Sequence, residues 1–423
     1  MTGTATGTVT RPEPDDRSRL LARTQRQGRI RTLRALVLVL PMFGFLLLVF
    51  LVPLGRMLYR SVEDPELTAA MPATAHRLRD WDGAGLPPRE VYAALLREAP
   101  EAYEARTLAT VAQRLNHDIS GYRSLLLKTG RALAARDRAR VFNDPAKRLV
   151  GIDARWGEPQ YWRAMRRAAG PFTDLYLLAA VDLDRDATGD IVPVPEREAV
   201  FVDVLLRTLW IGSAVTILCL VLGYPISYLL ATLPPRLRNV LMILVLLPFW
   251  TSLLVRTSAW IVVLQNEGIV NGLLLRLGII DAPVQMIFNR FGVLVAMTHV
   301  LLPFMVMPLY SVMRGISPAH MRAAASLGAP PWLAFLRVYL PQSMPGVAAG
   351  CLLVFILGVG YYITPALVGG ASDQMVSYFI AFYTNRTVNW GLASALASVL
   401  LVATVALCIV YARLSRAGGG LRP

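Results

Sequence analysis

The sequence predicts an all-α integral membrane protein with about six transmembrane helices and a largely helical polar insertion between the first and the second. Three observations predict it. Hydrophobic residues make up 55% of the 423, above the ~45–50% usual for a soluble domain even though that figure counts glycine. They gather in six long runs, at 33–54, 204–232, 239–264, 291–313, 343–369 and 391–413, each able to cross ~30 Å of hydrocarbon at ~1.5 Å per residue. The excess basic charge lies before and between those runs, as the positive-inside rule requires.

The first element is a basic tail over 1–32. Residues 1–34 carry Arg11, Arg17, Arg19, Arg23, Arg26, Arg29, Arg31 and Arg34, which stop where the first apolar run begins. That run, 33–54, starts too late and is too long for the apolar region of a cleaved signal peptide. It is read as a retained first helix with a cytoplasmic N-terminus. The formal charge of +15 therefore does not point to nucleic acid, which needs clustered charge on one face of a soluble fold.

Residues 55–200 are polar and nearly neutral, with 22 Lys/Arg against 21 Asp/Glu. Lying between the first and second helices, the segment is expected outside the cytoplasm, since long loops translocate largely regardless of charge. Pro87-Pro88 followed by Arg89-Glu90-Val91-Tyr92-Ala93-Ala94-Leu95-Leu96 reads as a helix start. Over 107–134, Leu108, Val111, Leu115, Ile119, Tyr122 and Leu126 recur at three- and four-residue intervals, an amphipathic helical pattern. Asp182-Leu183-Asp184-Arg185-Asp186 invites a calcium-loop reading. The required Gly and Glu positions hold Ala187 and Pro193, so the segment reads as an acidic turn.

The core, 201–415, follows, with a tail over 416–423. The loop after the second helix, Pro234-Pro235-Arg236-Leu237-Arg238, is short and basic. The loop after the fourth holds Arg314, Arg322 and Arg337 and no acid, and the C-terminal tail holds Arg413, Arg416 and Arg422 and no acid. All three fall on the predicted inner side, giving both termini in the cytoplasm. Cys219, Cys351 and Cys408 all lie in apolar runs, which leaves the insertion no disulfide framework.

The segment between the fourth and fifth helices, 317–341, is the most informative. Ser317 suits an N-cap and Pro318 the first helical position. Ala323-Ala324-Ala325 favours a short helix, and Gly328 suits a left-handed C-terminal cap. Pro330-Pro331 then starts a second short helix carrying Trp332, Phe335, Leu336 and Tyr339 and ending before Pro341. A bent two-helix element at the membrane surface is expected, with a small alanine face and an aromatic face too apolar for water.

This segment resembles the EAA loop of ABC importer permeases, whose pattern is Glu-Ala-Ala, three residues, Gly, nine residues, Ile, one residue, Leu-Pro. Ala323, Ala324, Gly328, Val338, Leu340 and Pro341 occupy matching positions, and Arg322 stands where the family has Glu. Phe249-Trp250-Thr251-Ser252, Arg256-Thr257 and Trp260, with His299-Val300-Leu301-Leu302-Pro303-Phe304, are similar to the spermidine/putrescine class of type I importer permeases. The resemblance covers about 200–415 and, loosely, the first helix. It implies half of a transmembrane pathway for a small polar or charged organic solute. It also implies a second permease subunit, cytoplasmic ATPase subunits docking at the loop, and an extracytoplasmic solute-binding protein. ATP and Mg are implied on the ATPase alone. This chain has no GxxxxGK[ST] loop, no metal-ligand spacing among His76, His117, His299 and His320, and no catalytic motif.

Polar residues inside the spans are candidate pathway residues: Arg256, Trp260, His299, Tyr361, Tyr362 and Thr364. Intramembrane charge usually faces a cavity, and snorkelling to the interface is the other reading for Arg256. The rest line a pore or make interhelical contacts. Gly346, Gly350, Gly358 and Gly360 predict close helix packing. Two other functions would need different residues. A secondary transporter needs coupling carboxylates at mid-membrane. A membrane-anchored protein acting through its outer domain needs a constellation in 55–200. Neither pattern is present.

Overall fold

The computed structural model describes residues 37, 39–135, 144–186 and 189–418, without the side chains of 414–418. The expected basic tail over 1–32 and the end of the C-terminal tail lie outside the described residues. The chain divides after Tyr59 into two compact units.

The first unit contributes helix α1, Val39–Arg60, whose last residue belongs to the second unit. Its apolar side chains, from Val39 to Leu54, are exposed along its length, as befits a helix solvated by lipid. The described helix ends at Arg60, six residues beyond the run expected from sequence, and residues 33–36 and 38 of that run lie outside the described residues.

The second unit opens with the insertion. Its helices are α2 (Glu66–Ala70), α3 (Pro72–Asp80), α4 (Arg89–Glu104), α5 (Leu108–Asp118), α6 (Tyr122–Ala134), α7 (Pro145–Ile152), α8 (Pro159–Arg167) and α9 (Leu175–Ala179). Pro88 caps α4 as expected. The periodic stretch 107–134 is two helices rather than one. The chain turns at Gly121, whose φ of +89° is the left-handed region glycine tolerates. Five of the six periodic positions, all but Ile119, are buried in one core with Trp156 and Trp162.

That core satisfies its polar atoms. Trp156 donates to Thr129 Oγ1 at 2.9 Å, Trp162 to the Trp156 carbonyl at 2.9 Å, and Tyr122 to the Tyr161 carbonyl at 2.9 Å, so the aromatic mass is buried without orphaned donors. Glu98 on α4 accepts both the Ala73 and Thr74 amides at 2.7 Å, capping α3 from outside.

A short antiparallel hairpin, β1 (Leu183–Arg185) with β2 (Ile191–Pro193), closes the insertion, where the sequence reading expected only an acidic turn. Within the acidic stretch, Asp182 serves as a cap. Its carboxylate accepts the Val200, Phe201 and Val202 amides at 2.7–3.0 Å, occupying the orphan donors of the following helix.

The transmembrane core comprises α10 (Phe201–Thr232), α11 (Pro235–Leu246), α12 (Leu253–Leu264), α13 (Ile269–Arg276), α14 (Arg290–Gly315), α15 (Pro318–Ser326), α16 (Pro331–Ala334), α17 (Leu340–Gly360), α18 (Ile363–Val368), α19 (Val376–Asn385) and α20 (Trp390–Gly418). Among the described residues six helical stretches are long and apolar enough to cross a membrane. The third begins at Leu253, not at 239, because Leu247–Trp250 tightens into a 3-10 turn at Pro248 and leaves α11 as a separate helix. The fifth runs Pro331–Gly360 rather than 343–369. The chain extends at Tyr361 and re-forms a short α18.

The helices α10, α14 and α17 make the central cluster, around Val215, Met297, Leu301, Met305 and Val354. Small residues let α17 approach the others. A Cβ on Gly350 would stand 2.7 Å from Met305 Sδ and 3.2 Å from its carbonyl, and one on Gly346 3.2 Å from Leu309 Cα. Gly346, Gly350 and Gly358 are thus consumed by packing within the chain, the common use of small residues in membranes. Gly360 faces open space.

Candidate functional site

Two regions hold the residues singled out from sequence. In the first, Ser317 Oγ accepts the Ala319 amide at 3.3 Å and Pro318 opens α15. Gly328 follows at φ +82°, so the helix ends on the left-handed cap its sequence implied.

The second half departs from expectation. The helix opened by Pro331 does not stop before Pro341. It passes through a π-turn, Phe335–Tyr339, and continues as α17. Pro341 has no N–H to give the carbonyl four residues back. Widening the preceding turn to a five-residue repeat lets the helix run on past it. Beside it, Gln342 Nε2 donates to the Val338 carbonyl at 2.8 Å.

The aromatic side chains divide. Phe335 meets Tyr224 and Tyr228 edge-on, with centroids at 6.1 and 5.9 Å, and Tyr339 meets Tyr228 at 5.2 Å. These rings fasten the element to α10, and the Tyr224 and Ser343 hydroxyls lie 2.9 Å apart beside them. Leu327, Trp332 and Leu336 are left outside, 89%, 64% and 48% exposed. Ala324 is buried, while Arg322 and Ala323 are exposed. Val338 and Leu340 are half-buried and Pro341 exposed. The result is a corner held against α10 with a bare apolar face, and beside it Arg322, which has no ion-pair partner among the described residues.

The second region lies within the spans. Trp260 on α12 donates its indole N–H to His299 Nδ1 on α14 at 3.2 Å, with ring centroids 5.5 Å apart. Arg256 stands one turn before Trp260, near His299 and Tyr361, and among the described residues its buried Nε has no hydrogen-bond partner. Thr257 and Thr364 bring their hydroxyls to 3.4 Å, joining α12 to α18. The structure thus gathers Arg256, Trp260, His299, Tyr361 and Thr364 where α12, α14, α17 and α18 meet. Tyr362 is 42% exposed and joins none of these bonds.

Sequence reasoning missed two participants. Thr257 carries the bond to Thr364, and its place one residue after Arg256 was the available signal. The buried Asp373 accepts from Arg290 Nε at 3.1 Å, tying the turn after α18 to the start of α14, while Arg290 also lies over the Trp210 ring at 5.2 Å. No local pattern joins residues so far apart in sequence.

The family described as binding-protein-dependent transport system inner membrane component has a sequence model that matches residues 223–417. The spermidine/putrescine transport system permease protein PotB of Escherichia coli (strain K12) is 36% identical over 219 residues, covering 52% of this chain and 80% of that one. The protein of the same name from Haemophilus influenzae is 36% identical over 216 residues, covering 51% and 76%. The molybdenum transport system permease protein ModB of Mycobacterium bovis is 31% identical over 207 residues, covering 49% and 76%. A solved bacterial ABC transporter involved in import of the acidic polysaccharide alginate aligns with a TM-score of 0.42 at 20% identity, over 51% of this chain and 79% of that one.

Proposed function

The chain belongs to the family of binding-protein-dependent transport system inner membrane components, and we propose that within such an importer it forms one half of the pathway for a polyamine-like solute. It is a multi-pass inner-membrane permease subunit of an ABC importer. The solute class follows the spermidine/putrescine permeases it resembles. A second permease subunit supplies the other half of the pathway, and a binding protein delivers solute at the outer face.

The observation that carries the coupling role is the corner at Leu327, Trp332 and Leu336. A large apolar face mounted on a folded element marks a protein contact. Here it is held by Phe335 and Tyr339 against α10, so a push on the corner moves a core helix. A separate ATPase subunit docks there, with Arg322 facing it, and closes on ATP. The residues 317–341 and both termini then lie in the cytoplasm and the insertion lies outside. The membrane cluster of Arg256, Trp260, His299, Tyr361 and Thr364 borders the pathway.

Photocrosslinking tests the docking. A benzophenone at Leu327 in the purified complex is expected to capture the ATPase subunit, and one at the exposed Leu86 of the insertion is not. Thiol labelling of intact cells that reaches cysteine at position 327 but not at position 86 would overturn the topology.

A further inference from the structure

The insertion is fastened to the outer end of the sixth span by a contact that admits no side chain. Tyr176 on α9 is buried with its ring against Gly391, the second residue of α20. A Cβ on Gly391 would stand 2.4, 2.5 and 2.6 Å from three atoms of that ring, well inside any van der Waals contact. Behind the ring, Arg114 of α5 lies with its guanidinium carbon 5.6 Å from the centroid. Arg114 is itself held by Asp64 and Asp118, the Asp64 carboxylate accepting from Nε at 2.8 Å and that of Asp118 from Nη1 at 3.0 Å.

The turn that precedes α20 is gripped from the same side. Gln113 donates to the Thr387 carbonyl at 3.4 Å, and the Asn389 amide nitrogen lies 3.4 Å from His117 Nε2. Asn389 Oδ1 in turn accepts the Leu392 amide at 3.1 Å, capping the helix. Between these residues Val388 sits at φ +54°, a conformation a β-branched residue adopts only when its surroundings impose it. Inward of Tyr176, a single apolar cluster joins Ala180, Val204 of α10, Val376 of α19, and Leu392 and Leu396 of α20.

We infer that Tyr176 and Gly391 form a rigid joint through which the insertion and the outer ends of α10, α19 and α20 move as one body, so that whatever engages the insertion acts directly on the sixth span. The two are positioning residues. A buried ring seated on a glycine, backed by a paired arginine, transmits displacement because neither side can yield without opening a void. The inference uses the importer reading only for its transport readout.

The test uses the assembled complex in proteoliposomes. Gly391→Ala is expected to lower ATP-driven uptake about tenfold, and Gly391→Ala with Tyr176→Ala to recover most of it, because the pair is coupled through shared space. Tyr176→Phe keeps the ring and is expected to behave as the unaltered protein. A second readout needs no solute. Spin labels at the exposed Leu86 and Val388 are expected to hold one narrow separation with and without trapped ATP, and to broaden in Gly391→Ala. Unchanged narrow separation in Gly391→Ala, or failure of the double variant to recover, would overturn the joint. Absence of uptake by the unaltered complex with the label pattern as expected would overturn the importer reading alone.

Discussion

The Trp260 indole donates to His299 Nδ1 at 3.2 Å and so fixes the His299 ring as an acceptor toward α12, leaving Nε2 to carry the proton of the neutral ring. This bond crosses from α12 to α14 within the cluster that also holds Arg256. Trp260→Phe keeps an aromatic ring, though a smaller one, and removes the donor. Its expected effect is a fall in uptake of roughly three- to tenfold with normal assembly, since one interhelical hydrogen bond contributes about 1 kcal/mol. Uptake equal to that of the unaltered complex would remove the bond from the pathway.

Gly328, at φ +82° with open space where a Cβ would be, is required for its backbone and not for its size. Gly328→Val is expected to cost about 1–2 kcal/mol locally and to weaken ATPase association. Gly328→Asn, which tolerates the left-handed region, is expected to retain most of it. Co-purification of the ATPase subunit with each variant is the measurement, and equal retention by Val and Asn would contradict the cap.

Gly350 is the opposite case, limited by space. Gly350→Val places carbon against the Met305 sulfur and carbonyl, and overpacking of this kind costs about 1–3 kcal/mol. The thermal midpoint in detergent is expected to fall. Adding Met305→Ala is expected to restore only part of it, because the backbone carbonyl remains.

Acid–base behaviour should single out the insertion. Burial pushes the Asp64 carboxyl up from 3.8 to about 7, with Glu66 adding to the rise and Arg114 opposing it. Asp118 on α5 and Tyr176 on α9 complete its surroundings. A carboxyl raised in the folded state binds its proton more tightly there than in the unfolded chain. Its contribution to stability is therefore complete below about 4 and is lost as pH rises through about 7. Melting of the insertion is expected to come at lower temperature as pH rises over that interval, and Asp64→Asn to flatten the slope. A melting temperature that climbs with pH there would contradict it.

Much of this was legible in sequence because it is local. The six runs, the Ser317 cap and the Gly328 turn each rest on a few adjacent residues whose physics does not depend on the rest of the fold. The fused helix after Pro331 was not legible, since Pro341 reads as a stop unless a π-turn precedes it. Nor were the Arg114 cluster, the Arg290–Asp373 pair or the seat of Tyr176 on Gly391, which join residues distant in sequence. The candidate pathway residues stand out in sequence only singly, as polar groups in apolar runs. That Arg256, Trp260 and His299 converge, while Tyr362 stands apart, is set by how α12 and α14 pack.

Uptake of labelled spermidine and putrescine into proteoliposomes holding the assembled complex tests the central claim most directly, with ATP supplied on the ATPase side and Leu327→Asp with Trp332→Asp as the comparison. The account predicts uptake that needs both ATP and the binding protein, and its loss in the double variant while the permease still folds. Uptake that continues in the double variant, or that proceeds without ATP, would contradict it.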